Sequence, residues 1–112
     1  AEILSWFGAF PEMNHNEVVG WKGDEKSSNF IPILLRNNKE DDRIDKRIEV
    51  TKEKVFKPVT DDIIEVWAKA DTQLARILYL IYLGDYVSIY LALLYGRDPS
   101  PVKIIDELKA SL

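Results

Sequence analysis

The chain has no cysteine, one histidine, one methionine and five glycines among its 112 residues. Without thiols there can be no disulfide scaffold, thiolate metal centre or cysteine nucleophile, and the composition suits a reducing compartment such as the cytoplasm. Neither the P-loop nor the dinucleotide glycine pattern is present, and no nucleophile elbow frames a serine. A basic excess is missing too: 15 Lys and Arg face 19 Asp and Glu for a net charge of -4, which argues against nucleic acid as a partner. One histidine and no cysteine make a poor metal-ligand set, so neither metal nor cofactor is expected. An initiator Met and a signal-peptide pattern are also lacking. The chain opens on the apolar, aromatic run AEILSWFGAF, read here as a piece of a longer protein with part of its chemistry upstream. There is no internal repeat and no low-complexity segment.

What is present is organised around Thr72 to Tyr95, TQLARILYLIYLGDYVSIYLALLY. Apolar residues fall on nearly every side of this segment, so a helix here needs cover all round rather than along one stripe. A helix of this length spans about 36 Å at 1.5 Å per residue, longer than a small domain is wide. Part of the cover is therefore expected from another domain or subunit, and a dimer interface is predicted. Arg76, Gly84 and Asp85 interrupt the apolar run, and the uncharged remainder, Tyr86 to Tyr95, falls short of the roughly 20 residues a bilayer core requires. No membrane span is predicted. Asp85 is expected to find donors at an interface, beside a glycine that permits close approach.

Before that helix, Ile3 to Phe10 reads as a short buried strand, and Pro11 to Gly20 as a helix of two to three turns carrying the lone His15. Lys22 to Asn29 is polar and turn-like. Phe30 to Arg36 has the length and continuous apolarity of a strand buried on both faces, with Pro32 near its start or edge. Asp41 or Asp42 is available to cap a helix over Asp42 to Phe56. Ile44, Ile48, Thr51 and Val55 form one stripe on that helix, whose many charges predict a solvated face with local ion pairs. Pro58 ends it, Asp62 to Ala68 reads as a third strand, and Asp71 as the cap of the long helix. Gly96, Pro99 and Pro101 then lead to a short closing helix. Strand, crossover helix, strand, helix is the pattern of an α/β unit with a parallel sheet and flanking helices. Three strands make an incomplete doubly wound domain, the others being expected upstream.

Three strings carry a resemblance: PEMNHNEVVGW (Pro11 to Trp21), RIDKRIEVTKE (Arg43 to Glu53) and LARILYLIYLGDYVSIYLALLYGRDPSPVKIIDELK (Leu74 to Lys109). In order and nearly throughout, the chain resembles the C-terminal part of the bifunctional phosphoglucose/phosphomannose isomerases, enzymes of two sugar isomerase (SIS) domains. The resemblance implies a flavodoxin-like SIS portion spanning residues 1–112, with the first SIS domain and its phosphate-binding loops upstream. It implies aldose/ketose isomerisation of hexose 6-phosphates in carbohydrate metabolism, glycolysis and gluconeogenesis, by a cytoplasmic homodimer.

The resemblance also suggests roles. His15, in the NHNE string, matches the family's histidine that assists opening of the pyranose ring in the neighbouring subunit's active site. An imidazole, with a reference pKa near 6.5, suits that proton shuttle. Lys109 is the better match to an active-site lysine of the last helix, ahead of Lys103, and an ammonium there would stabilise charge developing on oxygen. The family's base, a glutamate, lies just before Ala1, and Glu2 is a poor substitute. Asn14 and Glu17 are candidates for binding substrate or orienting the imidazole. Against these stand plainer roles: Lys109 as a snorkelling surface lysine, Asn14 and Asn16 as caps, and Glu17 as a solvent-facing carboxylate. Against the enzyme stand a non-catalytic sugar-phosphate-binding SIS module and a pure dimerisation domain. The piece by itself is expected to be inactive.

Overall fold

The computed structural model describes residues 7–21, 29–100 and 103–112. Its regular elements are β1 (Ile33–Arg36), α1 (Asp42–Thr51), β2 (Ile64–Trp67), α2 (Gln73–Leu94) and α3 (Lys103–Ala110). Two 3-10 turns, Glu12–Asn14 and Glu17–Gly20, precede them, and one π-helical turn, Lys52–Phe56, extends α1. The strands pair in parallel, with Ile33 opposite Ile64 and Arg36 opposite Trp67. The βαβ connectivity expected from the sequence is therefore present.

Pro32 sets the start of β1. It has no N–H for a ladder, but its carbonyl accepts from Ile64 N at 2.9 Å and so opens the pairing just before the strand begins. Asp41 caps α1: its backbone is extended, and its side chain accepts from Arg43 N. The charged helix follows as expected as far as Thr51 and continues as the π turn to Phe56.

Leu34 on β1, Ile48 on α1 and Phe56 on the π turn form the buried core. Phe10, Met13, Trp21, Ile44, Val55 and Ile63 pack against it half-buried. Trp21 meets Phe56 edge-on with ring centroids 4.8 Å apart, a favoured aromatic geometry.

Several expectations are corrected. β1 is buried on one face only: Leu34 and Arg36 face the core, whereas Ile33 and Leu35 are exposed. The strand expected over Ile3 to Phe10 falls partly outside the described residues. Its described end, Phe7 to Phe10, is not strand, and the peptide before Pro11 is cis. The strand expected over Ile3 to Phe10 is therefore not seen in its described part, and the sheet has two strands among the described residues. Pro11 to Gly20 is two 3-10 turns rather than one helix, because Asn14, Asn16, Val18, Val19 and Gly20 are all weak helix formers. The turn expected over Lys22 to Asn29 lies, except for Asn29, outside the described residues.

Thr72, not Asp71, caps α2: its side chain accepts from Ala75 N at 3.2 Å. The backbone carbonyl of Asp71 instead accepts from Arg76 Nη1 at 2.8 Å. α2 ends at Leu94, and beyond it Gly96 has a φ of 64°, which suits a residue without Cβ. Its N–H donates to Leu93 O at 2.9 Å.

Between those ends α2 is exposed on nearly all sides, with Arg76 its one buried residue. Asp85 is exposed and its carboxylate has no donor among the described residues, and a Cβ on Gly84 would meet nothing within 4 Å. The described residues of this chain supply neither the donors nor the close approach expected there at an interface. By length and composition α2 is also apolar enough to cross a membrane. A core helix of a soluble protein has the same length and composition.

Candidate functional site

His15 lies between the two 3-10 turns and is exposed. Its backbone is set locally, with His15 N donating to Glu12 O at 2.9 Å and Asn14 N to Pro11 O at 2.9 Å. Its imidazole has no hydrogen bond or ion pair among the described residues. Asn14, the preceding residue, ties this turn to the rest of the fold. Its Nδ2 donates to Thr51 Oγ1 at 2.9 Å across 37 residues of sequence. Its Oδ1 is buried without a partner among the described residues.

A cleft of about 700 Å³ opens between this turn and α1, lined by Pro11, Asn14, Thr51 and the basic Arg43, Lys46 and Arg47, among others. Asn16 precedes the second turn but makes no side-chain cap bond. Glu17 is exposed and lies over Gly8, where a Cβ would come within 2.5 Å of its Oε2. That carboxylate ends a flexible side chain, which would move aside for a Cβ. Lys109 is exposed on α3, which buries none of its side chains, and its ammonium has no partner among the described residues. Within one chain, then, the structure brings Asn14 and His15 together on one anchored turn and joins neither to Lys109 by any bond. No group of three or more His, Cys, Asp or Glu is placed to hold a metal among the described residues.

The strongest electrostatic feature lies elsewhere, at the carboxyl ends of the strands. Arg36, the last residue of β1, is 1% exposed. Its Nη1 donates to Glu49 at 2.9 Å and to Glu65 at 2.7 Å, its Nε to Glu40 at 3.2 Å, and its Nη2 is paired with Asp45. The guanidinium also sits 4.5 Å from the centre of the Trp67 ring, close enough for a cation–π contact. Lys52 closes the cluster against Glu65 and Glu49.

Burial alone would lower the Arg36 pKa, but hydrogen bonds to Glu49 and Glu40 and the charges of Glu40 and Glu65 outweigh it and raise the value. Hydrogen bonds from Arg36 and then Lys52 hold the Glu49 carboxyl below its ordinary value. The hydrogen bond to Glu65 lifts Lys52 above its own, against the effect of burial. With every donor group engaged, the Arg36 fork is a staple joining β1, α1 and β2 rather than a group free to bind substrate. Sequence reasoning missed both Arg36 and Thr51. The signals were a lone cation closing the apolar run FIPILLR and a hydroxyl in the stripe of Ile44, Ile48 and Val55.

A parallel βαβ unit followed by a long apolar helix is the architecture of part of a SIS domain, and the family profile described as bacterial phospho-glucose isomerase C-terminal SIS domain matches residues 1–112. The chain belongs to that family. It is similar to the bifunctional phosphoglucose/phosphomannose isomerases of Aquifex aeolicus, 40% identical over 96% of this chain and 33% of the relative, and of Caldicellulosiruptor bescii, 40% identical over 96% and 32%. The enzyme of the same name from Thermoplasma volcanium is 33% identical over 100% of this chain and 35% of the relative. The chain thus spans about a third of the length of these relatives. No solved structure matches it at a significant level.

Proposed function

We propose that this chain is the C-terminal SIS portion of a two-domain isomerase that interconverts glucose 6-phosphate or mannose 6-phosphate with fructose 6-phosphate. The observation carrying this reading is the exposed His15 on a turn anchored through Asn14 to Thr51, in a chain whose relatives bear that enzyme name. An exposed imidazole on a fixed turn is suited to entering a neighbouring subunit's active site. There it takes the proton of the anomeric hydroxyl and delivers one to the ring oxygen, breaking the ring C–O bond and leaving an open-chain carbonyl. A carboxylate from the upstream part then moves a proton between C2 and C1 through a cis-enediol, while the Lys109 ammonium offsets charge developing on oxygen. Asn14 holds the His15 segment, and Glu17 stays at its margin over Gly8.

The bare apolar surface of α2 favours assembly, and we assign it to contacts within a cytoplasmic homodimer rather than to a membrane. Neither nucleic acid nor a cofactor has a role in this reading. The test is isomerase activity of the complete parent chain on fructose 6-phosphate and mannose 6-phosphate, beside its His15→Ala variant and this chain alone. The parent should turn over both sugars, the variant should lose about 100-fold in rate, within the range of acid–base contributions, and the chain alone should be silent. Full activity in the variant would make His15 structural.

A further inference from the structure

Thr51 is a costly choice for its position. It is 3% exposed in a stripe otherwise made by Ile44, Ile48 and Val55, where a valine of the same shape would bury no polar atom. It is also the last residue of α1 before the helix changes to its π turn. Its hydroxyl proton is committed, since Oγ1 donates to Arg47 O at 2.8 Å. Toward any other group that oxygen can only accept. Asn14 must therefore present its NH2 edge to Thr51, as it does at 2.9 Å, and its Oδ1 faces the other way. One hydroxyl thus sets both the distance and the facing of the amide that immediately precedes His15.

Besides that bond, the turn and its flanks are held by the half-buried packing of Phe10, Met13 and Trp21. The turn buries no residue of its own. α1, by contrast, is fixed to both strands through Glu49 and Arg36. We infer that Thr51 is a positioning residue for ring opening, acting through Asn14 to hold the His15 turn against α1 in the geometry the neighbouring active site requires.

This inference rests on the isomerase reading, and its test separates the two. In the full-length parent, kcat and KM on fructose 6-phosphate and the melting temperature are measured for Thr51→Val, Thr51→Ser and Asn14→Ala, with His15 intact and replaced by alanine. A loosened catalytic group costs rate rather than affinity, so Thr51→Val should lower kcat about tenfold with KM changed less than about twofold. Thr51→Ser should restore the rate. In the His15→Ala background Thr51→Val should cost nothing further, since residues acting through one another are not additive. Asn14→Ala, altering a half-exposed side chain, guards against misfolding and should repeat the kcat loss. Full kcat in Thr51→Val or in Asn14→Ala, or an equal Thr51→Val loss in both backgrounds, overturns the inference while a slow His15→Ala keeps the isomerase reading. A fully active His15→Ala overturns both.

Discussion

Arg36 shows how one side chain can hold three elements. Its planar fork reaches Glu40 beyond β1, Asp45 and Glu49 on α1, and Glu65 on β2, a geometry that a lysine's point charge cannot copy. Removing it leaves the half-buried Glu40 without its cation and Glu65 with Lys52 alone. Arg36→Met should therefore destabilise the chain by about 3 kcal/mol, the lower end for breaking a buried ion pair, and Arg36→Lys should recover little of that loss. Urea unfolding reads both, and a midpoint unchanged by either substitution would mean the cluster is solvated and weak. At this scale the sequence was partly legible. His15 stands out as the one imidazole and Gly96 as the stop of a helix. Arg36 and Thr51 did not stand out, because the partners that give a strand-end cation and a helical hydroxyl their roles include residues 29 and 37 positions away.

Among elements, α1 with its π turn has the greatest influence, since it supplies Ile48 and Phe56 to the core, Glu49 to Arg36 and Thr51 to Asn14. Phe56 is 2% exposed, and Phe56→Ala should cost about 3–5 kcal/mol, as expected for emptying a packed aromatic site. The charges of α1 also make stability depend on pH at both ends. Glu49 has a lowered folded-state value, so its contribution is present above the ordinary value of 4.5 and is lost as pH falls through the lowered one. Lys52 has a raised value, so its contribution is present below 10.5 and is lost as pH rises through the raised one. Glu49→Gln should flatten the acid limb and Lys52→Met the alkaline limb of stability against pH, and a limb unaffected by its substitution would remove that group from the linkage. The pattern of apolar residues made α1, α2 and both parallel strands readable. It failed at Pro11 to Gly20, where short polar and β-branched residues favour local turns over a continuous helix. It also failed at the cap of α2, where Thr72 offers the extended backbone and the free hydroxyl.

For the whole molecule, the dominant fact is that α2 and one face of the sheet present apolar side chains with no cover: Ile33, Leu35, Ile81 and Ile89 are all exposed. A helix apolar on nearly every side calls for cover from outside itself, and the chain spans about a third of its relatives' length. Charge at Leu83 or Ile89 in the parent should shift a dimer toward monomer in light scattering, and an unchanged mass would count against α2 as the contact between subunits. The sequence revealed the need for cover but not its source, because apolarity has no direction. The same limit applies to the site, since no bond joins His15 to Lys109 within one chain. The most direct measurement is therefore fructose 6-phosphate turnover by the parent's His15→Ala and Lys109→Ala variants, each alone and after mixing with exchange of subunits. If His15 serves the partner's site, mixed dimers hold one intact site, and an equimolar mixture should recover about a quarter of the parental rate by the statistics of a two-fold dimer. A mixture no faster than the mean of the two variants would contradict the account and return His15 to its own subunit.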